Sequence, residues 1–147
     1  MKYEDIYSRF YLKQTDPSLF KCSKEDAYEI MSGWLHSIAS LPYVRKCFSN
    51  ISFDDDLEEL TYSLVKSVDT DSDNEFVTEV FAQGMVICWM RPEVEKAINL
   101  AIAIGGKEEK SILNNYKTNI ARLDSLELKL KKMIRDYGYN NGSYETE

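Results

Sequence analysis

The sequence predicts an all-α fold, a small bundle of about five to six helices with a long C-terminal helix and an extended C-terminal tail. Three observations carry that expectation. Apolar residues recur at helical spacing along most of the chain, cap-forming residues precede several of those runs, and only three prolines and six glycines interrupt 147 residues. Residues 1–137 read as one helical domain and residues 138–147 as a polar tail. A single domain of this size buries roughly 70% of its unfolded surface, so it can hold a real core.

The first expected helix covers residues 3–13, where Tyr3, Ile6, Tyr7, Phe10 and Tyr11 share one face and the pattern ends before Asp16-Pro17. A loop follows, up to Ser23. The Ser23 hydroxyl is placed to cap a second helix, about 24–39, and Glu25 and Asp26 suit its positive end. Its stripe is Ala27, Ile30, Met31, Trp34, Leu35 and Ile38. Pro42 stops that helix and opens a short third turn through Val44 and Phe48.

Residues 49–72 read two ways. Asp54-Asp55-Asp56 suits the cap of a short helix carrying Leu57, Leu60 and Leu64, while the alternation Leu60, Tyr62, Leu64 suits a strand. The short helix followed by a loop is the preferred reading. Asp71-Ser72-Asp73 then caps a helix over 74–90 that is apolar nearly all round, the mark of an element covered on several sides. Gly84 in its middle lets a neighbouring helix come close. Pro92 ends it or starts the next helix, 92–104, with Val94, Ile98, Ala101 and Ile102 inward, and Gly105-Gly106 is a stop.

The last helix, about 108–137, carries Ile112, Tyr116, Ile120, Leu123, Leu126, Leu130, Met133, Ile134 and Tyr137 in a narrow near-heptad seam. At about 1.5 Å per residue it is roughly 45 Å long, more than the width of such a domain, so part of it is expected to project. Gly138 is read as its C-terminal stop. The tail from Tyr139 to Glu147 has no helical pattern and is suited to ordering on a partner.

The formal net charge is −7, which argues against general nucleic-acid binding, where neutralised phosphates supply the affinity. Charge is unevenly spread: residues 107–136 hold eight Lys/Arg against five Asp/Glu. An acidic body with a basic late segment suits contact between copies or with partners of opposite field. Cys22, Cys47 and Cys88 are odd in number and form no C-x-x-C pair, which fits a reducing cytoplasm, with Cys47 and Cys88 in apolar settings. The acidic, polar N-terminus is no signal peptide, and no apolar run approaches the roughly 20 residues of a membrane span.

No catalytic, cofactor or metal site is expected. His36 is the only histidine, off the centre of its helix stripe, and has no second histidine with which to share a metal. Asp69-x-Asp71-x-Asp73 resembles the start of a calcium loop, but Asn74 and Val80 stand where that loop wants Gly and Glu. Asp54-Asp55-Asp56-Leu57-Glu58-Glu59 has no phosphate-cradling loop nearby and reads as a solvated face. Gly105-Gly106-Lys107 lacks the P-loop spacing. Ten tyrosines stand out, with Tyr3, Tyr7 and Tyr11 early and Tyr137, Tyr139 and Tyr144 late. They serve either as the rim of a small core or as anchors for protein contacts.

Four segments taken in order carry a resemblance. They are Tyr7-Ser8-Arg9-Phe10-Tyr11-Leu12-Lys13; Ala27 through Leu35, with Gly33-Trp34-Leu35; Ala82-Gln83-Gly84-Met85-Val86-Ile87-Cys88-Trp89 before Pro92; and Leu128-x-x-x-x-Met133-Ile134-Arg135-Asp136-Tyr137. Together they resemble small virion proteins of tailed bacteriophages and prophages of low-GC Gram-positive bacteria, above all the head–tail connector (adaptor) proteins of the phage neck. The resemblance covers nearly the whole chain and rests on the order of segments rather than on a short motif.

It implies an all-α, non-enzymatic structural protein made in the bacterial host cytoplasm. Such a protein self-associates into a ring, usually a dodecamer, beneath the portal protein and meets a stopper or tail-completion protein on its other side. Packaged DNA passes through the ring without sequence-specific binding, and no membrane is involved. The resemblance brings residues from about 130 onward to the portal, which makes Arg135, Tyr137, Tyr139, Asn141 and Tyr144 the candidate interface residues. The alternative is a small helical phage regulatory or host-interaction protein acting as a free dimer through the seam of 112–137. An enzyme using His36 is the least favoured reading.

Overall fold

The computed structural model describes residues 1–13 and 22–145, with side chains through Tyr137. Its elements are α1 (Tyr3–Lys13), α2 (Lys24–Ser40), α3 (Pro42–Arg45), β1 (Phe48–Asp54), β2 (Glu59–Leu64), α4 (Thr70–Ile104) and α5 (Gly106–Glu145). The chain is therefore mostly helical but not all-α. The first two helices form where the sequence places them, while Asp16, Pro17 and most of the expected loop before Ser23 lie outside the described residues.

Helix α1 buries Tyr3, Ile6, Tyr7 and Phe10, the face its aromatic spacing lays out. Ser23 caps α2, its Oγ accepting from the Asp26 amide at 3.1 Å. That helix buries Ala27, Met31, Leu35, Ile38 and Ala39, whereas Ile30 at the stripe's edge stays exposed. Arg9 on α1 donates to Glu75 of α4, and Lys13 lies 3.0 Å from Glu79, so a polar strap lines the outer edge of the α1–α4 contact. The Glu79 carboxyl is pushed up by burial, but its bonds to Arg9 and Lys13 outweigh that and hold it below the usual range.

Residues 48–64 correct the sequence reading. They form an antiparallel β-hairpin in place of a short helix and loop, and Phe48 opens β1 rather than closing the third helical turn. Pairing runs from Phe48↔Leu64 to Asp54↔Glu59, with a bulge at Ser49. Asp54 does cap free amides, but those of the hairpin turn. Its Oδ1 accepts from the Asp56 and Leu57 amides at 3.2 and 3.1 Å, and Glu58 takes φ 53° to close the loop. Met1 and Tyr3 extend the outer edge of β2, with the Leu60 amide donating to the Met1 carbonyl and the Tyr3 amide to Glu58.

Two helix boundaries also differ. Asp69, not the Asp71–Asp73 group, caps α4, accepting from the Ser72 amide at 2.7 Å, so the helix begins at Thr70. The same helix then runs unbroken through Pro92 to Ile104, fusing the two helices expected at 74–90 and 92–104. Its first half is the central element the sequence implies, meeting α1, α2 and α5 and burying every residue from Val80 to Ile87. Beyond Pro92, Val94, Ala97 and Ala101 are buried, but Ile102 points outward at 67% exposure.

Pro92 is tolerated because it sits on an exposed flank while the face around Val94 and Ala97 stays packed. It still lacks the N–H that would donate back to the Cys88 carbonyl. Pro92→Ala is therefore expected to stabilise the protein by about 1–2 kcal/mol, since an interior helical proline costs about 3 kcal/mol and stiffening of the unfolded chain offsets part of it. Urea unfolding of the two proteins checks this, and an unchanged midpoint would count against it.

Gly105 and Gly106 both have positive φ, 72° and 66°, and turn the chain directly from α4 into α5. The last helix spans 40 residues, so the tail expected to begin at Gly138 is helical backbone as far as Glu145. A glycine inside a helix costs about 1 kcal/mol relative to alanine and does not forbid the next turn. The near-heptad seam is used within the chain from Ile120 onward. Leu123 and Leu130 are buried, with Ile120, Leu126, Met133, Ile134 and Tyr137 half-buried against the same core. By contrast Tyr116 is exposed, and the halves of α4 and α5 next to the glycine turn project from the body as a two-helix stalk.

Candidate protein-docking surfaces

Tyr137 is fixed at the C-terminal part of α5 by two contacts with the start of α4. Its ring stacks on Phe76, centroids 3.9 Å apart and planes 8° off parallel, and its hydroxyl donates to Asp73. Asp73 also accepts from the Ser67 hydroxyl and, at 3.0 Å, from the Val68 amide. Burial pushes the Asp73 carboxyl up, yet these three donors outweigh it and hold it below the ordinary carboxylate range. The acid read as a helix cap is thus the hub that ties the β2–α4 connection to α5.

Next to this hub lies a groove of about 620 Å³ between α3, the end of β2, α4 and α5. Tyr43, Cys47, Leu64, Phe76 and Ile134 supply an apolar floor, and Lys46, Lys66 and Arg135 stand around it. Lys131 adds positive charge at one side, its Nζ 5.4 Å above the Tyr43 ring. Arg135 and Tyr137, two of the candidate interface residues, both line this groove. The side chains of Tyr139, Asn141 and Tyr144 lie outside the described residues, on backbone that continues α5.

The hairpin tip is of opposite character. Asp54, Asp55, Asp56, Glu58 and Glu59 surround Leu57, which is 68% exposed. Asp55 fixes the tip to the body. It accepts from the Tyr3 hydroxyl at 2.6 Å and sits 3.0 Å from His36 Nε2, and these bonds hold its carboxyl below the usual range. His36 packs on Phe53 with ring centroids 4.5 Å apart, so the single histidine works as a clasp between α2 and β1.

A third surface is the stalk. From Ala97 through Gly106 the sequence has no charged residue, and Leu100, Ile102 and Ile104 are 45–67% exposed. Scattered exposed apolar residues are ordinary, but three within five positions at the end of a projection form a patch.

The sequence singles out Arg135 and Tyr137 but not Tyr43 and Lys46 of the α3 turn, or Lys66 just after β2, which only the folded chain brings to α5. None of the three cysteines is in a disulfide; Cys22 is exposed and the other two are half-buried, where burial pushes both thiols up. Among the described residues no group of three or more His, Cys, Asp and Glu is arranged to hold a metal ion, and no helix is long and apolar enough to cross a membrane. Asp69 and Asp73, the ends of the calcium-like run, are occupied with backbone amides and hydroxyls. Comparison of the chain with protein-family models, curated proteins and solved structures gives no match in any of the three.

Proposed function

We propose that the chain is a structural virion protein of a tailed bacteriophage, a head–tail connector that forms a ring under the portal and links capsid to tail. In this reading it is not an enzyme. It is made in the host cytoplasm and resides in the neck of the virion as a ring of twelve copies. The portal lies on one side and a stopper or tail-completion protein on the other. Packaged DNA slides through an acidic ring that does not hold its phosphates.

The observation that carries the reading is that one chain presents two unlike surfaces, an apolar, cation-rimmed groove and an acidic hairpin tip, as a closed ring of identical copies requires. A groove with an apolar floor and a charged rim has the anatomy of a protein interface. The ordered resemblance of segments supplies the identity of the partner. The alternative, a free dimer zipped along 112–137, is less well supported, because the seam from Ile120 onward is already packed within the chain.

Co-expression with a portal protein from the same genome tests the proposal. A ring-sized complex by light scattering, and density for the chain below the portal in an electron-microscopy map of the virion, is the expected result. A chain that stays monomeric beside the portal, with no density in the virion, would overturn it.

A further inference from the structure

The acidic tip and the cationic groove belong to opposite ends of one hairpin. Cys47, Leu64 and Val65 at the base of the hairpin border the groove, and seven residues of β1 separate that base from the turn. At about 3.3 Å per residue the tip stands roughly 20 Å away and faces elsewhere, so it cannot reach the groove of its own chain. It can reach the groove of another.

We infer that copies of this chain join head to tail, the tip Asp54–Glu59 of one copy seating Leu57 on the apolar floor of the next copy's groove. Charge complementarity selects this occupant. The tip presents five carboxylates, Asp55 among them already bonded to Tyr3 and His36, around one exposed aliphatic side chain, and the groove presents Lys46, Lys66 and Arg135, the last also 3.3 Å from Asp136, around an apolar floor. The Asp54 caps and the Asp55 bonds to Tyr3 and His36 hold the tip in one shape, so little ordering entropy is lost on docking.

The two patches differ, so the contact is heterologous, and repeated copies must close into a ring or run on as a filament. The inference rests on the ring reading above and specifies the contact that builds the ring. A tip of six residues covers less than the roughly 800 Å² per partner of a standard interface, so one contact is weak and closure supplies the rest by multivalency.

A charge-swap pair tests it on the full chain. Variant one carries Asp56→Lys, Glu58→Lys and Glu59→Lys in the tip; variant two carries Lys46→Glu, Lys66→Glu and Arg135→Glu at the groove. Sedimentation velocity at low salt should show wild-type assemblies that dissociate in high salt, while each variant alone, now with like charges at both ends, associates at least about tenfold more weakly. Mixing the two variants should restore assembly, because every tip then meets a groove of opposite sign. Leu57→Ser should weaken wild-type assembly with no change in charge.

Circular dichroism of each variant, together with the recovery on mixing, separates misfolding from lost docking. A ring with the portal that survives both swaps would overturn the tip-in-groove contact and leave the connector reading standing. A wild-type chain that is monomeric alone and beside the portal would sink both. Assembly unaffected by the swaps but lost on replacing Leu100 and Ile102 with serine would assign the contact to the stalk and overturn this inference.

Discussion

Gly84→Leu is expected to destabilise the protein by about 3 kcal/mol, close to the upper end of what overpacking a core costs. A Cβ built at Gly84 would lie 2.8 Å from Ile38 Cδ1, 2.9 Å from Cγ1 and 3.0 Å from Cγ2, so α2 and α4 touch where the glycine leaves room. Even Gly84→Ala pits a gain in helix propensity of about 1 kcal/mol against displacement of a fully buried isoleucine. The informative protein is the double variant. Ile38→Ala removes all three crowding atoms and opens a cavity that the new leucine fills, so the pair should be less damaging than the sum of the singles by at least about 1 kcal/mol. Urea unfolding of the four proteins measures this, and additive costs would mean that the helices do not meet at Gly84.

Loss of the Asp73 carboxylate is the second large effect. Asp73→Ala strands the Val68 amide and the Ser67 and Tyr137 hydroxyls, and should cost about 2–4 kcal/mol as a buried, charge-assisted cluster loses its acceptor. The pH dependence has a definite sign. Because the folded carboxyl is held below its unfolded value near 3.9, its contribution is fully present above about pH 4 and is lost as the pH falls through the folded value. The stability gap between wild type and Asp73→Asn should therefore be constant from pH 7 to 5 and narrow in stronger acid. A gap that stays constant down to pH 2 would remove Asp73 from the acid transition. Since Tyr137 walls the groove, Asp73→Ala should also weaken docking there.

Much of this fold was legible because the helices announce themselves locally. The aromatic face of α1, the Ser23 cap and the all-round apolar character of α4 each depend on residues within one or two turns, and each leads to the right element. The failures share a cause. Asp54 caps free amides whether they belong to a helix or to a tight turn, so its presence did not decide between them, although the period-two alternation of Leu60, Tyr62 and Leu64 favoured the strand. Pro92 lowers helix stability without abolishing it, and the packing of Val94 and Ala97 decides the outcome from outside the local sequence. Gly138 misled in the same way.

The candidate surface was half visible. A basic late segment and clustered tyrosines point to α5, where Arg135 and Tyr137 stand. The opposing wall, Tyr43 and Lys46, comes from residues some ninety positions earlier, and only the folded chain brings it there. The acidic tip was read correctly as a solvated face, but its position opposite the groove follows from a hairpin that the sequence left open.

Among the described residues, the α4 half of the stalk beyond Val94 is buried only at Ala97 and Ala101, and α4 and α5 lie along each other. Protection of its amides against solvent exchange should decline steadily from the body toward Gly105, and its outer turns should open and reclose without disturbing the core. Replacements among Leu100, Ile102 and Ile104 then alter what the far end adheres to while leaving the melting of the whole molecule nearly untouched. Evolution can thus retune that extremity without renegotiating the fold.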